Sequence, residues 1–398
     1  MKLPSPTRYN LHEKTIFLRV DYNCPLKNQK ITDPTKIKAS LPTIQYLLSQ
    51  NCKIVIATHL GRPEGKVNLA FTIKPLVQEL QRLLPNVKIH RANDCIGKEI
   101  RTLVQTAQNG EIIFLENLRF YKEEEENDPA FAHSLASLAE IYINDAFGAS
   151  HRAHASIEAI THFLPSLPGF LLEKETFELN KALNPKRPSM WILGGAKLDK
   201  IDLLHQALHK ADIVLIGGAL AHSFLKAQGI SVGLSKVDSE SIKAAKKILK
   251  LKESSRIILP LDFMVTEKVS PRSPSKIVKY NSITNAQTAL DIGPKTINLF
   301  KTHLRKARTI VWNGPLGYFE WAQYAVGTRE IARAMAKLTA VTICGGGEKA
   351  EAISKFHLTH HFTHVSTGGG AALEFLAGKQ LPGITALEQN YKRYKKGM

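Results

Sequence analysis

Two hydrophobic patterns alternate along this chain from one end to the other. Short runs that are apolar at nearly every position have the length of strands, and their continuous apolarity indicates burial on both faces of a sheet. Longer segments repeat apolar residues every three or four positions, as amphipathic helices do. This alternation predicts an α/β fold with two doubly wound, Rossmann-like domains built on parallel β-sheets.

The individual elements follow from the same patterns. The predicted strands are TIFLRVDY, KIVIATHL, EIIFLENL and IYINDAF in the first half, and SMWILGG, DIVLIGG, RIILPLDFMV, TIVWNG, AVTICGG and FTHVST in the second. The predicted helices include TKIKASLPTIQYLLSQ, FTIKPLVQELQRLL, KIDLLHQALHKA and VGTREIARAMAKL. In open α/β sheets, ligands bind beyond the carboxyl ends of the strands, so the residues that follow each strand are the candidates for chemistry.

The length of the chain indicates its division into domains. A chain of 398 residues is too long for one compact core and predicts two domains. The proline-rich stretch LPSLPGFLLEKETFELNKALNPKRPS suggests the boundary, and the helical pattern inside it is expected to form a rigid connector. We therefore expect an N-terminal domain over residues 1–170, a connecting helix over 171–186 and a C-terminal domain over 187–378.

Composition narrows the class of protein. Apolar residues make up 43% of the chain, which is enough to bury a sizeable core. The four cysteines are scattered and form no CxxC pair, so reduced thiols in the cytoplasm are expected. The segment MKLPSPTRYN has no apolar signal-peptide core, and no run of 18 apolar residues occurs, so neither a secretory signal nor a membrane span is expected.

The net charge of +19 favours anionic partners, which include phosphorylated small molecules, nucleic acid and acidic membrane surfaces. A generally basic proteome, with charges spread over solvated faces, explains the same number. No basic block is interleaved with the aromatic residues that stack on bases, so a nucleic-acid partner is not expected.

In the first half, four predicted strands are each followed by polar groups suited to an anion. The relevant stretches are RVDYNCP, THLGRP, LENLRF and NDAFGASHRAHAS, and they supply Arg19, Asp21, Asn23, His59, Arg62, Arg119 and Arg152. One arginine alone is most often a surface charge. Its recurrence at four strand ends indicates a small, multiply anionic ligand, because each guanidinium can hold a phosphate or carboxylate with two hydrogen bonds.

In the second half, the strands are followed by glycine instead. The stretches are LGGAK, IGGALA, WNGPLG, CGGGEK and STGGG, and GGAKLDK adds Lys197 and Lys200. Glycines allow close backbone approach and leave N–H groups for phosphate oxygens, so five such ends indicate a nucleotide phosphate site. A Walker A motif is absent and no GxGxxG opens the chain, so neither a standard P-loop nor a dinucleotide site is predicted. An anion site and a nucleotide site on two domains indicate phosphoryl transfer in a cleft that closes by hinge motion.

The chain resembles the phosphoglycerate kinase family over essentially its whole length. The resemblance rests on RVDYNCP, THLGRPEGK, LENLRF, NDAFGASHRAHAS, GFLLEKE, ILGGAK, DIGPKT, VWNGPLGYFE and HVSTGGGAALEFLAGKQLPG. It implies a cytoplasmic, monomeric enzyme of glycolysis that uses ATP or ADP and Mg²⁺. The implied reaction transfers a phosphoryl group between 1,3-bisphosphoglycerate and ADP, giving 3-phosphoglycerate and ATP. It also implies that residues 379–398 return to the N-terminal domain.

The resemblance further implies roles for individual residues. The expected phosphoglycerate ligands are Asp21, Asn23, Lys36, His59, Arg62, Arg119 and Arg152. The expected nucleotide ligands are Gly195, Ala196, Lys197, Lys200, Gly218, Asn313, Pro315, Glu320, Gly346, Gly347, Glu348 and Lys349. The residues expected to act on the transferring phosphoryl group are Lys36, Lys197, Gly346 and Gly369. Glu348 is the expected metal ligand.

Three positions depart from the family pattern, and all concern the transferring group. The family's GGGD[ST] is GGGEK here, so Glu348 carries one extra methylene, which displaces its carboxylate by roughly an ångström, and Lys349 replaces a hydroxyl residue. Lys36 stands where the family has arginine and lacks the planar fork. GGAKLDKI is one residue shorter than usual, so the register of Lys200 is open.

Two functional interpretations follow from these departures. The first is an active phosphotransferase in which the changes lower turnover, alter metal preference or compensate one another. The second is a catalytically weakened relative that binds nucleotides or polyanions, which the net charge of +19 would favour.

Overall fold

The protein is described by a computed structural model over residues 3–195, 201–345 and 352–394. The chain divides into two compact units. Unit 1 comprises Met1–Thr176 and Gln380–Met398, and unit 2 comprises Phe177–Lys379. The predicted α/β class with two parallel sheets is confirmed.

Unit 1 is built on a six-stranded parallel sheet of order β5-β6-β4-β1-β7-β8, beside a small hairpin of β2 and β3. Its strands are β1 Thr15–Val20, β2 Leu26–Lys27, β3 Lys30–Ile31, β4 Lys53–Ala57, β5 Ile89–Arg91, β6 Ile112–Phe114, β7 Ile141–Asp145 and β8 Ser166–Pro168. Its helices are α1 Thr35–Ser49, α2 Lys74–Leu83, α3 Lys98–Thr106, α4 Lys122–Glu125 and α5 Pro129–Ala136. The next helix, α6 Phe170–Leu183, contains the boundary between the units.

Unit 2 contains a second six-stranded parallel sheet, of order β11-β10-β9-β15-β16-β17. The strands are β9 Ser189–Leu193, β10 Ile213–Ile216, β11 Ile257–Ile258, β12 Asp262–Thr266, β13 Lys276–Lys279, β14 Thr288–Ile292, β15 Thr309–Asn313, β16 Val341–Cys344 and β17 His364–Val365. The helices are α7 Ile201–Lys210, α8 Gly218–Ala227, α9 Ser239–Leu249, α10 Pro294–Leu304, α11 Val326–Met335 and α12 Gly370–Leu376. Residues 352–355 are also helical.

The apolar runs form strands because both faces of each parallel sheet are covered. In β1, Ile16, Phe17 and Leu18 have no exposed surface, and Phe17 lies opposite Val55 of β4 and Tyr142 of β7. A strand with apolar residues on both faces is stable only inside such a sandwich of helices. The central strands therefore fix the position of the loops that follow them.

One predicted strand is wrong, and a proline explains why. The run RIILPLDFMV was predicted as one strand, but β11 ends at Ile258 and β12 begins at Asp262. Pro260 lies between them and cannot donate a backbone hydrogen bond to a sheet. β12 instead pairs antiparallel with β13 and β14 in a three-stranded sheet of unit 2, which the sequence patterns did not predict.

The last helix, α13 Pro382–Tyr394, packs within unit 1. Asn390 is buried and accepts a hydrogen bond from Ser166 N at 2.9 Å. Its amide group donates to the carbonyl oxygens of Thr161 at 2.6 Å and Leu164 at 2.8 Å. These bonds attach the helix to the edge strand β8 and to the turn before it.

Two further observations bear on the environment of the protein. Within the described ranges, no helix has both the length and the apolar character that a membrane crossing requires. All four cysteines are buried and free of disulfide bonds.

Candidate active site

The polar residues predicted in the first half follow four strands that are neighbours in unit 1. These strands are β6, β4, β1 and β7, in that order across the sheet. Because the sheet is parallel, all four carboxyl ends lie at the same edge. We call the group at this edge the acid site, and it comprises Asp21, Asn23, Lys36, His59, Arg62, Arg119 and Arg152.

Lys36 and Asp21 form an ion pair in this site. Lys36 lies in the first turn of α1, and its Nζ is 2.7 Å from Asp21 Oδ2. Asp21 Oδ1 accepts a hydrogen bond from Asn23 N at 3.2 Å. Burial opposes ionisation of Asp21, but the Lys36 ammonium outweighs it, and the pKa of Asp21 falls to about 2. Asp21 is therefore an anion at neutral pH and holds the Lys36 side chain at the end of β1.

Replacing Lys36 with methionine tests this pair. The pKa of Asp21 lies below its ordinary value of 3.8, so its ionised form stabilises the folded protein above pH 4 by on the order of 2 kcal/mol. That contribution is lost as the pH falls from 4 to 2. Without Lys36, burial is opposed by fewer interactions and the pKa of Asp21 should rise, so the variant should be less stable by a margin that is largest above pH 5 and shrinks toward pH 2.

Urea unfolding followed by circular dichroism between pH 3 and 7 measures the margin. Lys38→Met, which removes an exposed lysine from the same helix, is the matched control and should show little change. An equal loss of stability at every pH would contradict a role for the Asp21 charge.

Asn23 and Arg119 both bind the backbone of Gly61, in the loop after β4. Gly61 N donates to Asn23 Oδ1 at 3.0 Å, and Arg119 Nη1 donates to Gly61 O at 2.9 Å. Gly61 has φ +64°, and an added Cβ would overlap the ring of Phe71, so only glycine fits there without strain. Arg119 is 6% exposed, and its Nε lies 3.2 Å from Glu125 Oε1. The position of the Arg119 side chain is therefore set by the loop after β4 and by α4, as well as by its own turn.

His59 is held as a neutral hydrogen-bond donor. Its ring is buried, and Nδ1 lies 3.2 Å from Arg19 Nη2. A guanidinium only donates, so Nδ1 must accept and Nε2 carries the proton. Burial and then the charge of Arg19 hold the pKa of His59 well below its ordinary value of 6.5. Arg62 and Arg152 are exposed at the same edge.

Sequence reasoning placed Arg19 at the end of the first strand with Asp21 and Asn23, but it did not identify Glu124, which is buried behind the acid site. Arg19 and Glu124 have no exposed surface, and both contact Ser156. Three of the four glutamates in the run Glu123 to Glu126 lie in α4, and Glu126 follows the helix. Nothing in a run of four glutamates distinguishes the one that turns inward.

Unit 2 contains a cavity of about 370 Å³ that several predicted nucleotide ligands line. Those ligands are Gly195, Gly218, Pro315 and Glu320. Asn313 is buried at the end of β15 and is not among the lining residues. The cavity has the size of a small-ligand pocket.

The cavity walls combine apolar side chains with a few polar groups. Phe263, Leu290 and Tyr318 supply apolar surface, and Lys236 and Glu320 supply exposed charges. A second histidine, His222, is 4% exposed, and burial lowers its pKa to about 4. An apolar slot with a few polar groups suits a ligand that combines a flat ring with hydroxyl groups.

The glycines beside this cavity pack backbone against backbone. Gly194 N donates to Asn313 O at 2.7 Å, and Gly195 N donates to Pro315 O at 2.9 Å. The expectation that these two N–H groups are left for phosphate oxygens is therefore wrong. At Gly314, which has φ +89°, an added Cβ would overlap the carbonyl of Gly194. The glycines are needed here because two loops touch through their main chains.

The glycine-rich stretch STGGG is followed by a short helix. Gly369 has φ +52° and precedes α12. The remaining predicted ligands lie outside the described residues, and they are Ala196, Lys197, Lys200, Gly346, Gly347, Glu348 and Lys349. Among the residues that the structure describes, no group of three or more carboxylate, histidine or cysteine side chains could hold a metal ion.

Comparison with known proteins gives one family. A sequence model described as phosphoglycerate kinase matches residues 7–379. A phosphoglycerate kinase of Moorella thermoacetica is 45% identical over 383 residues, which cover 95% of this chain and 97% of that protein. Chloroplastic phosphoglycerate kinase 1 of Arabidopsis thaliana is 46% identical over 392 residues, or 96% of this chain and 81% of that protein.

Two solved structures of phosphoglycerate kinases are also similar to this chain. The phosphoglycerate kinase of Coxiella burnetii has a TM-score of 0.87 at 38% identity, covering 97% of this chain and 99% of that one. The enzyme of Pyrococcus horikoshii has a TM-score of 0.86 at 34% identity, covering 98% of this chain and 99% of that one. With a family match over almost all of its residues and relatives that share its full length, the chain belongs to the phosphoglycerate kinase family.

Proposed function

We propose that this protein catalyses the reversible transfer of a phosphoryl group from 1,3-bisphosphoglycerate to ADP, giving 3-phosphoglycerate and ATP, as a cytoplasmic monomer. The observation that carries the proposal is the acid site, where cations and donors follow four adjacent strands of one sheet. A ligand with a phosphate at one end and a carboxyl group at the other needs such donors on several sides.

The side chains of the acid site would have different roles in binding phosphoglycerate. Arg62, Arg119 and Arg152 would hold the anionic groups of the phosphoglycerate, since guanidinium forks match phosphate and carboxylate geometry. His59 would donate from Nε2 without adding charge, and Asn23 would position the Gly61 loop.

Lys36 would act on the group in transfer. Its ammonium would sit beside the reacting carboxyl-phosphate and stabilise negative charge that develops during transfer. Asp21 would hold that ammonium in place through the 2.7 Å ion pair. Because lysine lacks the fork of arginine, Lys36→Arg is expected to raise kcat or leave it unchanged.

The cavity of unit 2 would bind the nucleoside part of ATP or ADP. Its apolar walls would cover the base, and the exposed Glu320 would accept hydrogen bonds from the ribose hydroxyls. We assign the phosphate contacts to Lys197, Lys200 and Gly369 and to the segment 346–349, on the resemblance alone.

Mg²⁺ would enter with the nucleotide. This metal is usually held by one or two carboxylates together with substrate phosphates rather than by a protein cage. Glu348 is the proposed protein ligand. The ion would neutralise charge on the phosphates.

A coupled assay on the purified full-length protein tests the proposal. ATP formation should saturate with 1,3-bisphosphoglycerate and with ADP, should require Mg²⁺, and should have a kcat on the order of 1–100 s⁻¹. Omission of ADP is the control for hydrolysis. Calorimetric binding of 3-phosphoglycerate and ADP without any turnover would instead support the weakened relative, for which neither the relatives nor the described residues offer an argument.

A further inference from the structure

Helix α4 directs one carboxylate of an acidic run into the interior of unit 1. Glu124 has no exposed surface, whereas Glu126, two residues later, is exposed. Both carboxylate oxygens of Glu124 accept hydrogen bonds from Ser156, Oε2 from the backbone N at 3.0 Å and Oε1 from the hydroxyl at 2.6 Å. A buried charge of this kind is costly unless every acceptor is used, and here both oxygens are used.

The Ser156 hydroxyl also forms a hydrogen bond with Arg19 and so links Arg19 to Glu124. Its oxygen accepts a hydrogen bond from Arg19 Nε at 2.7 Å and donates its proton to Glu124. A guanidinium has only donors and a carboxylate only acceptors, so the direction of both bonds is fixed. Arg19 Nη2 also lies 3.8 Å from Glu124 Oε1. Charge and hydrogen bonds together thus fix the orientation of the buried guanidinium.

Arg19 in turn determines which nitrogen of the His59 ring carries the proton. Its Nη1 donates to Val20 O, and its Nη2 faces His59 Nδ1 at 3.2 Å. The other charged groups near the His59 ring are the cations Arg119 and Lys36 and the anion Asp21. None of these provides the donor that holds Nδ1 as an acceptor, so the tautomer of His59 depends on Arg19.

Glu124 and its neighbour Glu125 also contact the two segments that carry the buried Arg119 and the exposed Arg152. Its carbonyl oxygen accepts a hydrogen bond from Ala155 N at 2.9 Å, which holds the segment after Arg152 against α4. The neighbouring Glu125 faces Arg119. One short helix therefore contacts the surroundings of three acid-site residues.

We infer that Glu124 is a positioning residue for phosphoglycerate: through Ser156 and Arg19 it fixes His59 as an Nε2–H donor, and through Ala155 it holds the segment of Arg152. The inference rests on the proposed function of the acid site. A purely structural role is the alternative, because removing one partner of a buried ion pair is itself destabilising, and the separate Kd values and His59 shifts distinguish the two roles. The geometry ties Glu124 to the acid site specifically.

Binding measured separately for each substrate tests the inference. Calorimetry on the full-length Glu124→Gln and Ser156→Ala variants should give a Kd for 3-phosphoglycerate raised roughly tenfold, since a hydrogen bond to a charged group is lost. The Kd for ADP should stay within about twofold of the parent value, because the nucleotide cavity lies in unit 2. Glu126→Gln is the matched control and should change neither. A smaller folded fraction would lower the number of binding sites but not alter either Kd.

The His59 ring gives a second readout. In ¹⁵N spectra of the parent protein, Nδ1 should have the shift of an unprotonated nitrogen and Nε2 that of a protonated one, and both variants should move toward a mixture of tautomers. If Glu124→Gln fails to fold, the Kd for 3-phosphoglycerate and the His59 shifts of Ser156→Ala test the inference. An unchanged Kd for 3-phosphoglycerate together with unchanged His59 shifts would overturn the inference. Turnover of the parent protein is measured independently, so a failure of the proposed function is recognised separately.

Discussion

Replacing Gly314 with alanine is expected to destabilise unit 2 by about 4 kcal/mol or more, the range in which single substitutions abolish folding. Gly314 has φ +89°, and the added methyl would overlap main-chain atoms of Gly194, which cannot rotate away as a side chain could. Unfolding can be followed in this unit alone, because the three tryptophans of the chain are Trp191, Trp312 and Trp321. Guanidinium titration of tryptophan fluorescence measures the loss.

Gly229→Ala is the matched control for that substitution. Gly229 has φ +83°, and an added Cβ there would meet nothing within 4 Å. Alanine at position 229 should therefore destabilise the protein only by the free-energy cost of a left-handed backbone, about 1–2 kcal/mol. Equal losses at the two positions would mean that backbone conformation, rather than contact between the two loops, accounts for the glycine at 314.

Replacing Arg119 with methionine is expected to raise the Kd for 3-phosphoglycerate on the order of 100-fold, since hydrogen bonds from charged groups contribute about 1.5–3 kcal/mol each. The substitution removes a cation from the acid site and also the donor to Gly61 O. Because Gly61 N binds Asn23, the position of Asn23 should loosen as well. Calorimetric titration with 3-phosphoglycerate measures the effect, and affinity for ADP should be nearly unchanged.

Two further variants separate charge from geometry. Arg119→Lys keeps the charge but loses the fork, so its Kd should lie between those of the parent and the methionine variant. Arg101→Met removes an exposed arginine from α3 of the same unit and should have no effect. A parental Kd in Arg119→Met would show that the residue stabilises the Gly61 loop without contacting the substrate.

The sequence predicted the parallel sheets because continuous apolar runs such as that of β1 form only inside a covered sheet. The acid site followed from the same runs, since the order of strands brings their carboxyl ends to one edge whatever the loops do. The local effect of Pro260 was not recognised, because the run around it is apolar on both sides. The antiparallel sheet of β12 to β14 was missed with it.

Other features could not have been predicted from residue type. The glycines at 194 and 195 were interpreted as phosphate ligands because a glycine pair looks the same whether a ligand or another main chain approaches it. The observed partners, Asn313 and Pro315, lie more than a hundred positions later in the chain. Glu124 has the same residue type as the exposed Glu125 and Glu126, and only its position on the helical turn directs its side chain inward. Such distinctions depend on tertiary contacts and not on local pattern.

The hydrogen bonds of Asn390 have a consequence for how the protein is made. They join residues 224 to 229 positions apart, and all of unit 2 is synthesised between the two partners. Unit 2 is a continuous stretch and can fold as soon as it has left the ribosome. Strand β8 must wait for α13, so its edge of the sheet stays uncovered until all of unit 2 and then α13 have been synthesised, and we expect nascent chains to need protection from aggregation at that edge.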